Sequence, residues 1–237
     1  MTECCGGGRL GNQIIRNLAI SLIAKKHDLK VRYSSHDLIK QLGIELYSGK
    51  NIHTMFENIT EQNYYNILHK SSFTSNLNVN GYFQTMEITN TIYDYLQGNK
   101  ESIINANRFN ERYSKNNDLF IHIRLGDAAI WNPGLQYYLN AISSIVFDNL
   151  YIASDDFTHS IIDDICKIYP AANLVKLNEI DTIQFASTCK NIILSHGSFS
   201  AVIGYLAFFS SITYPDYTFA KTIWFGDMCS IPGWKKL

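Results

Sequence analysis

The sequence lacks the features that mark several classes of protein. Its five cysteines are scattered, with no C-x-x-C pair and no histidine spaced for a zinc site, so we expect a reduced, cytoplasmic protein without bound metal. The formal net charge is −1, which gives no basic field for nucleic acid or an anionic membrane. No apolar run reaches about 18 residues and no signal-peptide pattern is present, so we expect a soluble chain with no integral membrane segment.

The sequence does contain enough apolar residues for a substantial core. Of its 237 residues, 46% are hydrophobic, which suits one large or two small α/β domains. No linker rich in proline or glycine divides the chain. The polar stretch 114–118 is the best candidate for a boundary, and it predicts an N-terminal domain of residues 1–115 and a C-terminal domain of residues 116–237.

The second half of the chain alternates between strand and helix patterns. Strands are predicted at 119–124, 150–153, 174–177, 192–194 and 212–214, and helices at 135–146, 161–168, 181–189 and 198–209. This alternation indicates a parallel sheet covered on both faces. The first half is less regular: a glycine-rich turn leads into a helix that ends near His27, a strand follows at 30–33, residues 34–100 show no clear period, and a helix is predicted at 99–113.

The glycine-rich turn has two explanations. Gly6, Gly8 and Gly11 match the dinucleotide-binding pattern G-x-G-x-x-G, but the strand before them is short and no acidic residue is well placed to bind a ribose. Glycines that only let a strand and a helix pack closely give the same pattern. A dinucleotide-dependent oxidoreductase therefore stays an alternative with weak support.

The strand at 119–124 ends in two polar residues that predict an anion site. Because side chains alternate along a strand, His122 and Arg124 should share one face while Ile121 and Ile123 pack on the other. A charge at the end of a buried strand needs an anionic partner, and a guanidinium suits a phosphate or carboxylate. His122 can instead be a satisfied core histidine.

Other polar residues follow the later strands, at the edge where ligands bind in α/β sheets. Ser198 and Ser200, at the start of a predicted helix, can bind an anion through hydroxyl and backbone N–H groups, or can simply cap the helix. Asp155 or Asp156 can likewise cap the helix that follows, and Asp181 stands where a helix cap belongs.

Six segments, in their order along the chain, resemble the family 11 glycosyltransferases, which are the α-1,2-fucosyltransferases. They are Gly8–Gln13, Gly81–Gln84, His122–Asp127, Tyr137–Ile142, Ile152–Asp156 and Ser195–Ser200. The resemblance implies a GT-B fold with two Rossmann-like domains facing a cleft. It also implies a GDP-sugar donor, GDP-fucose, held mostly by the second domain, a glycan or oligosaccharide acceptor, and no metal ion or other cofactor.

The resemblance assigns donor-binding roles to individual positions: Gly11, Asn12, Gln13, His122, Arg124, Asp181, Ser198, Phe199 and Ser200. It implies that Arg124 contacts the diphosphate, that His122 lies near the guanine or ribose, and that Asp181 reads the guanine edge. A carboxylate suits that edge, because guanine presents the N1–H and N2–H donors side by side.

The implied reaction is an inverting transfer of a hexose to an acceptor hydroxyl. Arg124 and the helix start at Ser198 would neutralise the departing diphosphate. Asp127 is the carboxylate nearest to the motif and is our candidate for accepting the proton of the acceptor, although it can instead hold the Gly126 turn.

Three positions depart from the family pattern. Leu125, His196 and Ala201 stand where the family commonly has arginine, asparagine and tryptophan. These changes keep a second alternative open, namely a nucleotide-sugar-binding module that has the fold without the chemistry.

Overall fold

The computed structural model describes residues 1–216 and 228–237, in which two parallel sheets are present. The first sheet has the order β2-β1-β4-β3 and consists of Thr2–Cys4 (β1), Val31–Tyr33 (β2), Phe56–Ile59 (β3) and Asn76–Val79 (β4). The helices of this half are Leu10–His27 (α1), His36–Gln41 (α2), Tyr64–Leu68 (α3), Met86–Gly98 (α4) and Lys100–Ala106 (α5).

The second sheet has the order β10-β9-β8-β5-β6-β7. Its strands are Leu119–Ile123 (β5), Leu150–Ser154 (β6), Asn173–Leu174 (β7), Asn191–Ile193 (β8), Ser211–Tyr214 (β9) and Lys235–Lys236 (β10). The helices are Leu135–Ser143 (α6), Ser160–Ile168 (α7), Glu179–Ala186 (α8) and Ser198–Tyr205 (α9). Every described pairing within the two sheets is parallel, which confirms the predicted α/β class.

The central strand β5 separates two hydrophobic cores. Ile121 and Ile123 pack into a core with α6 and α7, whereas Phe120 points to the opposite face and packs into a core with α8 and α9. The alternation along this strand is therefore as the sequence predicts. It leaves His122 on the face that the first half of the chain covers.

The core on that face runs through both halves of the molecule. Ile14 and Ile15 of α1 belong to the same buried cluster as Ala201 and Val202 of α9. The predicted boundary near residue 115 thus falls between the two sheets but does not divide this core. The division into domains 1–115 and 116–237 stays a prediction, and its second domain includes residues 217–227, which lie outside the described residues.

Helices α4 and α5 differ most from the sequence prediction. Helix α4 lies in the region without a clear period, although Ile88, Ile92 and Leu96 recur every four residues and are buried. The helix predicted at 99–113 ends at Ala106, because the buried amide of Asn107 turns inward and donates to the Gln184 carbonyl at 2.9 Å. Among the described helices, none is both long and apolar enough to cross a membrane.

Candidate functional site

A cleft of about 820 Å³ lies between the two halves of the molecule. The first half contributes the loop before α1, the start of α1 and residues 61–62, 82 and 84–85. The second half contributes the ends of β5, β6 and β8 together with the segment between β7 and α8. The predicted polar edge of the second sheet therefore forms one wall of the cleft, as expected for a parallel α/β sheet.

The first turns of α1 and α9 meet in this cleft at Gly11. A β-carbon at Gly11 would lie 2.5 Å from the backbone nitrogen of Phe199 and 2.7 Å from the carbonyl carbon of Ser198. Only glycine lets the two helices approach this closely. Two positive helix ends therefore lie side by side at the cleft, which favours an anionic ligand there.

Asn12 joins three of the segments on which the family resemblance depends. Its Oδ1 atom accepts hydrogen bonds from Gln84 Nε2 at 2.7 Å and from Ser198 Oγ at 2.6 Å. These contacts link the glycine-rich turn, the segment Gly81–Gln84 and the start of α9. Ser198 thus faces Asn12 across the cleft, and the N-cap of α9 is Gly197, which has a φ of 92°.

Gln13 supports the glycine-rich turn instead of lining the cleft. Its Nε2 atom donates to the Gly8 carbonyl at 2.8 Å, and its Oε1 atom accepts from Ser35 Oγ at 2.5 Å. The side chain is therefore engaged within the first half of the molecule. Its assignment to donor binding stays a prediction.

Glu61 holds the segment Gly81–Gln84 in place. Its Oε1 atom accepts hydrogen bonds from the backbone N–H groups of Tyr82 at 2.7 Å and Phe83 at 2.8 Å. Phe83 is fully buried and has a φ of 56°, a left-handed conformation that is unfavourable for a bulky residue. Such strain at a cleft is typical of functional sites, and no pattern in the sequence predicts it.

Arg124 lies in the cleft and has the anionic partners that its position predicts. Its guanidinium contacts Asp155 and Asp127, and its side chain is 15% exposed. Asp155 also accepts the backbone N–H of Leu125 at 2.8 Å. Neither Asp155 nor Asp156 caps α7, because that helix begins at Ser160 and is capped by His159.

A second arginine, which the sequence reasoning missed, completes this cluster from the other half of the molecule. Arg9 Nη1 lies 3.3 Å from Asp155 Oδ2 and 3.7 Å from Asp127 Oδ1. Leu125 stands where the family 11 glycosyltransferases, which the sequence resembles, commonly have arginine. It is fully buried in the core with α6 and α7. The second guanidinium of the cleft thus comes from the residue next to Leu10, at the start of α1.

His122 lines the cleft as a neutral, buried imidazole. Burial, together with the nearby Arg124 guanidinium, lowers the pKa of His122 to about 3. Its Nδ1 atom lies 2.5 Å from Ser200 Oγ, which also accepts the backbone N–H of Ser195 at 3.1 Å. The Ser200 hydroxyl hydrogen is then available to Nδ1, which leaves the imidazole hydrogen on Nε2. Ser200 itself supports His122 and does not line the cleft.

Phe199 and Asp181 have different positions relative to the cleft. Phe199 lines it, with its ring centroid 5.1 Å from that of His122. Asp181 does not line it: the Oδ2 atom accepts from Arg108 at 2.7 Å and from Asn178 Nδ2 at 2.9 Å. Asn178, not Asp181, caps α8. The guanine-reading role of Asp181 stays a prediction.

Because two histidines are buried in the cleft, we expect the free energy of unfolding to fall in mild acid. Burial and the Arg124 guanidinium lower the pKa of His196 to about 4, below the ordinary value of about 6.5. Between these values the unfolded chain binds a proton that the folded protein excludes, so stability declines as pH falls. His196→Asn removes this contribution. We therefore expect the unfolding free energy of the variant to decline between pH 7.5 and pH 5 by about 1–2 kcal/mol less than that of the parent protein.

Urea unfolding of both proteins at the two pH values measures this difference. Asparagine is common at this position in the family that the sequence resembles. Its side chain can still form hydrogen bonds but does not titrate. Equal pH dependence of the two proteins would show that His196 does not exclude the proton.

Comparisons with solved structures identify the type of fold, whereas the other comparisons found no match. Neither the family models nor the curated proteins contain a match to this chain. Among solved structures, NodZ α-1,6-fucosyltransferase co-crystallised with GDP is similar at a TM-score of 0.50 and 11% identity, covering 91% of this chain and 93% of NodZ. A NodZ structure soaked with GDP-fucose has a TM-score of 0.40 and 13% identity, covering 61% of this chain and 55% of that one. The fold of this chain is of the GT-B type, with two α/β units, each built on a sheet of parallel strands, that face a cleft.

Proposed function

We propose that this protein is an inverting glycosyltransferase that moves L-fucose from GDP-fucose to a hydroxyl group of a glycan. The observation that carries the proposal is the position of Arg124, which lies in a cleft beside the first turns of α1 and α9. Two features support the choice of donor. The fold is shared with a fucosyltransferase co-crystallised with GDP, and six sequence segments resemble the α-1,2-fucosyltransferases.

The cleft is suited to stabilising a diphosphate leaving group. Negative charge on the β-phosphate grows as the bond to the sugar breaks, and preorganised positive groups lower the energy of that transition state. Arg124 supplies one guanidinium and Arg9 a second, while the N–H groups in the first turn of α9 have no partner within the helix. Asp127 and Asp155 contact the Arg124 guanidinium at the place where the diphosphate would bind.

Asp127 is the proposed proton acceptor. Its side chain is 73% exposed, so it can move away from Arg124 when a diphosphate takes its place. The acceptor oxygen then bonds to the anomeric carbon, the electron pair of the broken bond leaves with GDP, and the acceptor proton goes to the Asp127 carboxylate. Attack on the face opposite the leaving group inverts the anomeric centre.

A ligand screen followed by a donor screen tests the proposal. GDP at about 100 times its Kd is expected to stabilise the protein by about 2.7 kcal/mol, which for this chain length raises Tm by roughly 5–10 °C. UDP and NAD serve as comparison ligands. Mass spectrometry with GDP-fucose, GDP-mannose and GDP-rhamnose, each with a galactoside acceptor, should then show transfer of fucose.

Each rival function predicts a different result. Stabilisation by NAD but not by GDP would support the oxidoreductase alternative. Binding of GDP with neither transfer nor hydrolysis of any donor across a broad acceptor panel would support the binding-module alternative.

A further inference from the structure

The short 3₁₀ helix that follows β5 presents apolar side chains at the cleft. This helix runs from Gly126 to Trp131, and Asp127 is its only charged residue. Ala128 and Trp131 line the cleft together with Asp127, whereas Ile130 lies outside the lining and is 83% exposed. An apolar residue is thus held in water beside a cleft that we propose to bind sugars.

Asn132 anchors the end of this helix to the second half of the molecule. Its Nδ2 atom donates to the Arg124 carbonyl and to the Tyr138 hydroxyl, both at 2.9 Å, and its Oδ1 atom accepts the Gly134 N–H at 2.9 Å. Tyr138 is fully buried, so this anchor is part of the core. The exposure of Ile130 is therefore set by fixed contacts of the fold.

The geometry of a 3₁₀ helix brings Ile130 close to Asp127. In such a helix, side chains three residues apart are eclipsed and the rise is about 2.0 Å per residue. Asp127 and Ile130 are three residues apart, so their side chains lie on the same side of the helix, roughly 6 Å apart along its axis. The Asp127 side chain is 73% exposed. A molecule that reaches its carboxylate along this side of the helix therefore contacts Ile130.

The role proposed for Asp127 indicates which molecule this is. If Asp127 accepts the proton of the acceptor hydroxyl, the sugar that carries this hydroxyl lies against the carboxylate. The group attached to that sugar then reaches Ile130. Sugar hydroxyls placed against an isoleucine lose hydrogen bonds to water without replacement, which is unfavourable. An apolar group in the same place removes apolar surface from water on both sides of the contact, which is favourable.

We propose that the acceptor carries an apolar group next to the sugar that receives fucose, and that Ile130 binds this group. This inference rests on the proposed function and on the role of Asp127 in it. Exposed apolar residues occur singly on most protein surfaces, and Val146, which is 88% exposed and outside the cleft lining, is one of them. Ile130 differs from Val146 because it is fixed beside the reacting carboxylate.

Transfer from GDP-fucose to methyl and octyl β-galactoside tests the proposal, with the octyl compound kept below the concentration at which it forms micelles. Burial of about two methylene groups corresponds to roughly tenfold in affinity, so KM for octyl galactoside should be about tenfold lower than for methyl galactoside. Ile130→Ser should bring the two KM values within about threefold of each other at unchanged kcat, since the contact is the same in the ground and transition states. Ile130→Leu should keep the preference.

A second pair of acceptors separates two sources of the apolar group. A hydrocarbon aglycone and the acetyl group of a neighbouring sugar supply the same chemistry. Lactose and N-acetyllactosamine differ only in an acetamido group, so a lower KM for the latter that is lost in Ile130→Ser would assign the acetyl group. The same behaviour in the alkyl pair would assign the hydrocarbon.

Val146→Ser is the matched control, because it removes an equally exposed β-branched side chain away from the cleft, and it should leave every KM ratio unchanged. Fucose transfer with equal KM values within both pairs, or a preference that survives Ile130→Ser, would overturn the proposal and leave the proposed function intact. Equal KM values together with Ile130-dependent sedimentation on phosphatidylcholine vesicles would overturn it in favour of a membrane surface. No transfer to any acceptor would overturn the proposed function as well.

Discussion

Replacing Gly11 with alanine is expected to lower the free energy of unfolding by about 3 kcal/mol or more. The added β-carbon would lie within 2.8 Å of three backbone atoms of Ser198 and Phe199. Backbone atoms cannot rotate away as a side chain can, so α1 and α9 must move apart. Both helices are buried in the shared core, and a shift at their first turns disturbs packing along their length.

Gly7→Ala is the matched control for this prediction. Gly7 lies in the same turn, but a β-carbon there would meet nothing within 4 Å. We expect its unfolding free energy to change by no more than about 0.5 kcal/mol. For a chain of this length, the Gly11 variant should lose roughly 6–12 °C in Tm relative to the control. Equal melting of the two variants would show that α1 and α9 do not need this contact.

The Gly11 substitution should also weaken ligand binding in any protein that still folds. Moving α1 away from α9 separates Asn12 from Ser198, whose side chains are 2.6 Å apart. That hydrogen bond joins the two halves of the molecule at the cleft. GDP binding measured by calorimetry, well below the Tm of the variant, distinguishes this loss from simple unfolding.

Local patterns in the sequence predict five of the six described strands of the second sheet and the positions of its polar ends, but not the short strand β10. The alternation from Leu119 to Ile123 places Phe120 and His122 on the face opposite Ile121, as the structure shows. The same reasoning predicts that Arg124 has an anionic partner. These features follow from the period of a strand and from the cost of burying an unpaired charge, and both can be read locally.

The partners themselves cannot be read locally, because the fold alone brings them together. Arg9 and Asp155 are 146 positions apart, and Asn12 and Ser198 are 186 apart. A pattern of hydrophobic residues specifies which face of a helix is buried but not which helix covers it. Arg9 was missed for this reason, since its only local signal is its place beside the glycine-rich turn.

Short polar elements were the least predictable part of the fold. Helix α4 contains threonine, asparagine and tyrosine, residues of low helix propensity, and tertiary packing of Ile88, Ile92 and Leu96 stabilises it. Helix α8 begins two residues earlier than predicted, because the Asn178 side chain accepts the Asp181 N–H at 2.8 Å. That shift places Glu179, not Asp181, at the first position of the helix.

Replacing Arg124 with alanine is expected to weaken GDP binding by about 100-fold, since a charge-assisted, two-pronged contact to phosphate contributes up to about 3 kcal/mol. Arg124→Lys keeps the charge but loses the planar fork, and we expect a loss of about tenfold. The control is Arg32→Ala, which removes an exposed arginine paired with Glu3, 2.7 Å away, outside the cleft. A surface pair of this kind contributes little, so GDP binding should not change.

Guanosine, which has no phosphate, separates the role of Arg124 in binding from its role in the fold. The alanine variant loses an ion pair with Asp155, but that carboxylate keeps the Leu125 N–H and lies 3.3 Å from Arg9. If Arg124 acts on the diphosphate, the variant should bind guanosine as the parent does while losing affinity for GDP. Equal loss for both ligands would mean that the substitution has deformed the whole cleft, and undiminished GDP binding would exclude Arg124 from the phosphate site.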